Sequence, residues 1–374
     1  MMMGVYVHVP FCMSKCFYCD FCSYTDGSFT KYVDAVINEI RLRAPKEKTK
    51  IDTIYFGGGT PTLLNASDTG KILGEIRERF AIASNAEISI ECNPASATKE
   101  KIAELAQLGY NRFSVGLQCA DDGILKTLNR PHNVKNFCDT VTAIYDCGVK
   151  NLSCDIMLGL PNQTEKILDK TLDLIEDLKI PHVSAYALKV EKGTPLSKKI
   201  RTGEISLPDD DFAADLYEKV KECLSKNGVY RYEVSNFAKK GYECKHNLIY
   251  WRLNDYFGFG PSAHGFINGR RYANVKNLAK YHEKMSLGVK PETYSKKQTF
   301  DDNIFDYVML AFRLDEGLNE TDFSRRFGIN FTDKYPKIMD MINKGIFNKD
   351  GDNIKVTPKY VYVLNEVLIE LLFD

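Results

Sequence analysis

Up to about residue 190, short runs rich in β-branched and aromatic residues alternate with longer stretches whose apolar positions recur at helical spacing. This alternation is typical of βαβ units with parallel strands. The pattern predicts six strands, at residues 5–9, 51–56, 87–91, 112–117, 152–157 and 182–188. It predicts helices near residues 29–43, 67–80, 98–108, 134–147, 164–178 and 209–226.

Residues typical of binding or catalytic sites, rather than of a hydrophobic core, lie at or just past the C-terminal ends of these strands. They are Cys12, the glycines at 57–59, Glu91, Gln118, Asp155 and Tyr186. In a parallel α/β barrel this end carries the chemistry, and the opposite rim carries stability. Six units instead of eight predict an α/β fold of the partial (β/α)6 TIM-like type. A doubly wound open sheet is the alternative, and it too would bind ligands at the carboxyl ends of its strands.

The pattern changes after residue 190. We expect a strand near 230–237 and, around Asn268-Gly269, a β-hairpin over 263–275. A helix near 276–286 and a lysine-bearing linker at 284–300 are expected next.

From about residue 302 the pattern predicts three helices, then a hairpin at 347–356 and a final helix. This order resembles an α+β, winged-helix-like domain. The predicted domains are therefore the partial barrel at 1–230, a barrel extension at 231–290 and the winged-helix-like domain at 300–374. The neutral charge of the last domain favours packing or partner contact over DNA binding.

Composition and charge exclude several classes of protein. With 44% hydrophobic and 27% charged residues, the 374-residue chain is neither disordered nor of low complexity. Its 50 basic and 50 acidic residues give no net charge, so we expect no nucleic-acid partner. The stretch 53–67, the longest without Asp, Glu, Lys or Arg, is too short to span a membrane, and the N-terminus has no basic leader. Eleven scattered cysteines, an odd number, indicate reduced thiols and a cytoplasmic protein.

Three of the cysteines stand close together on the loop after the first strand. Cys12, Cys16 and Cys19 are separated by three and then two residues. Three thiolates at this spacing can hold an iron–sulfur cluster, and a [4Fe-4S] cubane then keeps one iron free for a chelating ligand. The alternatives are a zinc site, which needs a fourth ligand, or unrelated core cysteines.

The second strand ends in consecutive glycines followed by Thr60 and Pro61. Glycines without side chains let the backbone approach a ligand closely, and the Thr60 hydroxyl adds a donor and an acceptor. Alone, this segment is equally well explained as a turn.

Together the two motifs resemble those of radical S-adenosylmethionine proteins, including the aromatic residue Tyr18 before the third cysteine. The resemblance implies a site-differentiated [4Fe-4S] cluster that binds the amino and carboxylate groups of S-adenosylmethionine. Reduction of such a cluster cleaves the sulfonium and gives methionine and a 5′-deoxyadenosyl radical. The Gly-Gly-Gly-Thr-Pro segment resembles the motif that contacts the amino group.

Further segments resemble the porphyrin-related branch of that family, which includes the oxygen-independent coproporphyrinogen III oxidases and the heme chaperones of the HemW group. They are ECNP at 91–94, RFSVGLQ at 112–118, LNRPH at 128–132, DIMLGLPNQT at 155–164 and VSAYAL at 183–188. The match extends over about residues 5–265.

The resemblance implies cofactor-binding residues at matching positions. Contacts of the cluster-bound S-adenosylmethionine are expected at Tyr6, Gly58 and Glu91. Further S-adenosylmethionine or substrate-cavity contacts are expected at Tyr18, Gly59, Thr60, Gln118, Arg130, Asp155 and Ala187. The alternative is that Glu91 and Asp155 are surface carboxylates and Arg130 belongs to an exposed salt bridge.

Two departures favour the HemW group over the oxidases. Phe21 stands where the oxidases carry a further cysteine, and only eleven residues precede Cys12. The segment HNLIYW at 246–251 resembles the H-N-x-x-Y-W signature of the HemW group. We therefore expect His246 as the candidate heme ligand, with Cys244 and His264 as lesser candidates and His8 as a core or cavity residue. The alternative is that His246 and Trp251 only secure the open edge of the barrel.

The resemblance thus implies a heme chaperone that binds a [4Fe-4S] cluster, S-adenosylmethionine and heme. It would pass heme to an acceptor protein such as a respiratory enzyme and receive electrons from a reductant such as flavodoxin or ferredoxin. The alternative is an enzyme, an oxygen-independent coproporphyrinogen III oxidase that decarboxylates propionates, or a radical enzyme with another substrate. No role is predicted for Cys22, Cys92, Cys119, Cys138, Cys147, Cys154 and Cys223.

Overall fold

A large, mostly parallel sheet forms the N-terminal part of the protein. The computed structural model describes residues 2–373, without the side chain of Asp210. Its first twelve strands are β1 (Gly4–Val9), β2 (Lys50–Gly58), β3 (Ala81–Cys92), β4 (Arg112–Gln118), β5 (Asn151–Leu158), β6 (His182–Ala187), β7 (Tyr230–Glu233), β8 (Asn236–Ala238), β9 (Tyr256–Phe259), β10 (His264–Ile267), β11 (Arg270–Asn274) and β12 (Glu292–Lys297). They are ordered β12-β11-β10-β9-β1-β2-β3-β4-β5-β6-β8-β7, and β9 and β1 to β6 run parallel.

Helices connect these strands. They are α1 (Phe29–Arg43), α2 (Ala66–Arg79), α3 (Lys99–Gln107), α4 (Asp122–Thr127), α5 (Val134–Asp146), α6 (Glu165–Asp177), α7 (Pro195–Arg201), α8 (Asp210–Lys226), α9 (Lys245–Trp251) and α10 (Leu278–Ser286). Several begin where a side chain accepts a hydrogen bond from the first turn, as at Ser28, Thr98 and Thr164. The six helices predicted before residue 230 are confirmed, and the short helices α4, α7 and α9 were not predicted.

The order of the parallel strands decides between the two predicted architectures. Strands β1 to β6 are neighbours in chain order, with no reversal of the kind that defines a doubly wound sheet. Within the described residues the sheet is open, with β12 and β7 at its edges. The partial barrel is therefore confirmed, and the doubly wound alternative is wrong.

Side chains of the parallel strands alternate between two environments. One row, which includes Val7, Phe56 and Phe113, is fully buried in the core shared with the helices. The alternate row, which includes Tyr55 and Ser114, faces a cavity inside the barrel. Barrels of this type usually fill their interior with branched apolar side chains. Here the inward row is polar, so the interior provides binding groups rather than a packed core.

Two sequence expectations after residue 190 were wrong. The expected linker at 284–300 contains β12, which pairs antiparallel with β11 at the edge of the sheet. The single strand expected at 230–237 is a hairpin of β7 and β8. The hairpin around Asn268 and Gly269 is confirmed as β10 and β11, and both turn residues have positive φ, at 51° and 69°.

The C-terminal part has its own sheet and core. Its elements are α11 (Phe300–Ala311), β13 (Leu318–Asn319), α12 (Glu320–Phe327), α13 (Phe331–Lys334), α14 (Lys337–Asn343), β14 (Phe347–Asp350), β15 (Asn353–Val356) and α15 (Leu364–Leu372). The strands form a small antiparallel sheet ordered β13-β15-β14. Buried aromatic side chains such as Phe323 and Phe347 pack together beneath it. The expected C-terminal domain of helices followed by a hairpin is therefore present.

Candidate functional site

The loop after β1 carries the three predicted cluster ligands and is fastened to the barrel by its backbone. We call residues 11–24 the cysteine loop. Its two ends are bound together, since the Cys12 amide donates to the Tyr24 carbonyl at 2.9 Å. Its middle is held by the segment after α4: the Phe17 amide donates to Leu128, and the Asn129 side-chain amide donates to the Lys15 carbonyl at 3.0 Å. The loop is therefore positioned at the carboxyl end of the barrel.

Cys12, Cys16 and Cys19 line one cavity of about 160 Å³, which we call the cysteine cavity. In the part of the chain that the structure describes, no three His, Cys, Asp or Glu side chains converge within reach of a single metal ion. A zinc site requires such convergence. A [4Fe-4S] cluster instead attaches each thiolate to a different iron, so the donor set of three spread thiols fits a cluster better than zinc.

Arg130 forms the wall of the cysteine cavity next to two of its residues. One guanidinium nitrogen lies 3.4 Å from Cys16 Sγ and 3.4 Å from the Tyr18 hydroxyl, and the other donates to the Gly116 carbonyl at 3.2 Å. The Arg130 Nε–H is buried without a protein partner. The positively charged guanidinium therefore lies directly beside one of the predicted cluster ligands. The unpaired Nε–H leaves a donor for a bound ligand.

The glycines after β2 are required by the protein's own packing. A Cβ on Gly59 would lie 2.6 Å from the Phe11 carbonyl oxygen of the cysteine loop, and one on Gly58 would lie 2.5 Å from the His8 ring. Gly58 also has φ of +113°, in the region that favours glycine. The sequence predicted close approach of a ligand, whereas the structure shows close approach of the chain itself. Gly58, Gly59 and Thr60 still line the cysteine cavity.

Glu91, at the end of β3, is held beside these glycines. Its carboxylate accepts hydrogen bonds from the Gly58 amide and from the Tyr55 hydroxyl, each at 2.9 Å. Burial raises the pKa of Glu91 to about 7, although the hydrogen bonds from Gly58 and Tyr55 by themselves lower it. The carboxyl group therefore gives up its proton less readily than a free glutamate does.

Two more predicted residues lie on β4 and β5: Gln118 is the last residue of β4, whereas Asp155, expected at a strand end, lies within β5. Asp155 accepts a hydrogen bond from the Ser114 hydroxyl at 3.2 Å, and burial raises its pKa. Gln118 is buried and has φ of +71°, a conformation that non-glycine residues rarely adopt. The strain coincides with a register shift between β4 and β5. Both side chains line the cysteine cavity.

The structure does not bring Tyr6 and Ala187 into the cysteine cavity. The Tyr6 hydroxyl lies 3.0 Å from His8 Nδ1 and faces two neighbouring cavities. Ala187 is exposed at the last position of β6, paired with Leu158, and is not among the lining residues within the described chain. All the other predicted cluster and cofactor residues line the cysteine cavity.

A second cavity of about 320 Å³, which we call the barrel cavity, continues into the barrel interior. Glu91, Ser114 and Asp155 line both cavities. Sequence reasoning missed most of its remaining lining residues, which include Tyr55, Arg112, Ser153, His182 and Ser184. A signal was present, because β4 places Arg112, Ser114 and Gln118 on one face of the strand and β6 places His182, Ser184 and Tyr186 on one face.

His246, the predicted heme ligand, lies on α9 and is only 1% exposed. Its Nδ1 lies 2.7 Å from the Thr53 hydroxyl and its Nε2 lies 2.8 Å from the Tyr250 hydroxyl. The ring also stacks on Tyr55, with centroids 5.1 Å apart. Burial lowers the pKa of His246 to about 3. Both nitrogens are therefore engaged in the protein's own contacts, and iron ligation requires one of them to be released.

The lesser candidates differ from one another. Cys244 is buried at the start of α9, and its thiol donates to Glu87 at 3.7 Å.

His264 is exposed on β10 and lines a third cavity, of about 450 Å³, beside the cysteine loop. We call this the mouth cavity. Burial lowers the pKa of His264, and the charges of Lys276 and Arg271 lower it further. His8 lines the same cavity; it is buried, and its Nε2 lies 3.1 Å from the Cys22 carbonyl oxygen, as expected for a cavity residue.

Among residues 2–373, no helix combines the length and the apolar character that crossing a bilayer requires.

Two family models match the chain. Residues 6–175 match the Radical SAM superfamily, and residues 299–361 match the HemN C-terminal domain. Among solved structures, the coproporphyrinogen III oxidase HemN from Escherichia coli, a radical SAM enzyme, has a TM-score of 0.86 at 22% identity. That match covers 100% of this chain and 90% of the oxidase, and it supports the same fold.

Several curated relatives are similar over nearly their full length. The heme chaperone HemW of Lactococcus lactis subsp. lactis (strain IL1403) is 33% identical over 379 residues, covering 99% of this chain and 97% of that protein. The heme chaperone HemW of Bacillus subtilis (strain 168) is 33% identical, with 98% of each chain covered. That of Escherichia coli (strain K12) is 31% identical, covering 98% and 97%. The expected resemblance is thus confirmed.

Proposed function

Because the chain belongs to the HemW family of radical S-adenosylmethionine proteins, we propose that it is a heme chaperone, which binds heme and transfers it to an acceptor protein. The observation that carries the proposal is similarity over nearly the whole length to relatives named for this function. We further propose a respiratory enzyme as a candidate acceptor and flavodoxin or ferredoxin as a candidate reductant.

Membership of the superfamily implies a [4Fe-4S] cluster and S-adenosylmethionine as cofactors. We assign the cluster to Cys12, Cys16 and Cys19, whose thiols share one cavity. When bound and reduced, the cluster would supply the electron for cleavage of S-adenosylmethionine to methionine and a 5′-deoxyadenosyl radical. The protein's part is to hold the thiolates: Arg130 lies 3.4 Å from Cys16 Sγ, and the Thr60 hydroxyl lies 3.7 Å from Cys12 Sγ.

We propose that S-adenosylmethionine lies between the cysteine loop and the ends of β3 to β5. The Glu91 carboxylate accepts from Gly58 and Tyr55 and is suited to receive the ligand's ammonium or hydroxyl protons. Asp155 is available to hydroxyl groups, and the buried Arg130 Nε–H is available to a carboxylate. The remaining proposed contacts are Tyr6, Tyr18, Gly58, Gly59, Thr60, Gln118 and Ala187.

Three further features stay predictions. His246 is proposed as a heme ligand on the strength of its motif alone. The domain boundaries 1–230, 231–290 and 300–374 are proposed in the same way. Coproporphyrinogen III oxidase activity is the second candidate function, favoured by the fold shared with HemN. The residue at the position of the oxidases' further cysteine, Phe21, is 64% exposed and offers no thiol.

One experiment separates the two functions. The full chain, reconstituted anaerobically with its cluster, is incubated with hemin and then with apomyoglobin as a general heme acceptor. It is separately incubated with coproporphyrinogen III, S-adenosylmethionine and dithionite. We expect a Soret band, its transfer to apomyoglobin and no porphyrinogen conversion. Formation of protoporphyrinogen IX, or the absence of hemin binding, would overturn the chaperone assignment.

A further inference from the structure

The mouth cavity offers a metal-ligating group that the protein itself does not use. His264 is exposed on β10, and within residues 2–373 its ring nitrogens make no hydrogen bond. The other imidazoles that line the barrel cavity or the mouth cavity are engaged. His8, His182 and His246 each have hydrogen-bond partners at both ring nitrogens. An imidazole with free nitrogens and access to a cavity is the form that binds iron.

The walls of the mouth cavity suit a flat aromatic ligand. Phe21 of the cysteine loop is 64% exposed, although its side chain is large and apolar. Tyr250 and Tyr256 supply aromatic rings, which pack edge to face with centroids 4.7 Å apart. A macrocycle placed here would cover Phe21 and contact the tyrosines. The volume of about 450 Å³ is in the usual range for sites that take cofactor-sized ligands.

The same cavity is lined by one basic side chain, Lys276, and by one carboxyl group, Glu91. Lys276 is exposed, and its carbonyl accepts hydrogen bonds from the Cys22 thiol at 3.3 Å and the Tyr24 hydroxyl at 3.0 Å. These bonds fix the backbone at Lys276 against the cysteine loop. The ammonium group is then free to pair with a carboxylate such as a porphyrin propionate.

We propose that the mouth cavity is the heme site and that His264 is the axial ligand to the heme iron, in place of the motif residue His246, whose two ring nitrogens are engaged. Phe21 and Tyr256 contact the macrocycle, and Lys276 pairs with a propionate. The inference rests on the proposed function, because it takes heme as the cargo. It places the cargo beside the cysteine loop, which contributes both cluster ligands and a wall of the heme site.

Hemin titration of the anaerobically reconstituted full chain tests the ligand. His264→Ala is compared with His282→Ala, which removes a half-buried imidazole on α10 outside the mouth cavity. We expect His264→Ala to lower hemin affinity at least tenfold and to shift the Soret band, and added imidazole to restore the band. His282→Ala is expected to behave as wild type. An unchanged band in His264→Ala, or the same shift in Cys22→Ser instead, would overturn the assignment.

Iron-free protoporphyrin IX tests the cavity separately from the ligand. It should bind wild type and His264→Ala equally, since neither complex contains an iron–imidazole bond. Phe21→Ala and Lys276→Glu should each weaken it severalfold; equal binding by both variants would place heme elsewhere. If wild type binds no hemin, the proposed function itself fails. Hemin binding that is insensitive to all these substitutions refutes only this site.

Discussion

The cysteine cavity and the surroundings of His246 were both marked by sequence motifs, yet they differ in how completely their polar atoms are hydrogen-bonded. In the cysteine cavity the thiols of Cys12 and Cys16 accept weak hydrogen bonds at 3.7 and 3.4 Å, and Arg130 keeps a buried donor unpaired. Around His246, both ring nitrogens are within 2.8 Å of hydroxyl groups. Groups left unpaired by the fold are available to ligands, whereas groups paired within it stabilise the fold.

This contrast shows that a motif alone does not tell whether its residues bind a ligand or stabilise the fold. A buried polar group without a partner costs about 1–3 kcal/mol, so folded proteins leave few such groups unpaired. The Arg130 Nε–H in the cysteine cavity is such a group, whereas both ring nitrogens of His246 already have partners. Three experiments test how far this contrast holds.

The largest effect is expected for the cluster ligands. Cys12→Ala, Cys16→Ala and Cys19→Ala should each lose the cluster, because each thiolate binds a different iron. Iron and acid-labile sulfide in the reconstituted protein should fall to background. Cys22→Ala, on the same loop, should keep wild-type content. A Cys12, Cys16 or Cys19 variant with full iron and sulfide would remove that cysteine from the ligand set.

The next largest effect is expected in the free energy of unfolding of two histidine variants. His246→Ala should lower the free energy of unfolding by about 2–4 kcal/mol, because it leaves the Thr53 and Tyr250 hydroxyls without their partner and opens a buried space. His264→Ala should change it by about 0.5 kcal/mol or less, as expected at an exposed position. Urea unfolding of the cofactor-free chains measures both. Equal losses would show that burial and hydrogen bonding do not separate the two residues.

The smallest effect concerns the anchoring of the cysteine loop. Asn129→Gly removes the hydrogen bond to the Lys15 carbonyl and keeps a residue suited to φ of +58°. Its loss of about 0.5–1.5 kcal/mol should speed iron release to a chelator roughly two- to tenfold. Asn162→Gly, at φ of +59° and exposed, is the matched control and should release iron at the wild-type rate. Identical rates in the two variants would mean that the Asn129 side chain does not hold the loop.

The sequence predicted the parallel strands well because their apolar row is continuous and fully buried. It failed at β12 because all but the first residue of that strand are exposed, so the strand has no apolar pattern. An exposed, lysine-bearing strand at the edge of a sheet is joined to it by backbone hydrogen bonds, which any sequence can make. Pairing with β11 therefore appears only in the structure.

The hairpin of β7 and β8 was not predicted, for a related reason. Its turn at Val234 and Ser235 lacks the glycine or asparagine that usually marks a tight turn. The Val234 amide instead donates to the Arg313 carbonyl of the C-terminal part at 3.2 Å, and the Asp315 amide donates to the Tyr232 carbonyl at 3.0 Å. A turn held by a segment some eighty residues away has no local signal.

The sequence alone determined the spacing of the three cysteines, the glycines after β2 and the alternation of strands and helices. These are local features, since neighbouring residues and a repeating apolar pattern specify them. Only the tertiary structure decided which polar atoms are paired. It engages both nitrogens of His246, leaves those of His264 free and brings Glu91 into contact with Gly58. Hydrogen-bond partners distant in the chain make that choice, and their distances exist only in the folded protein.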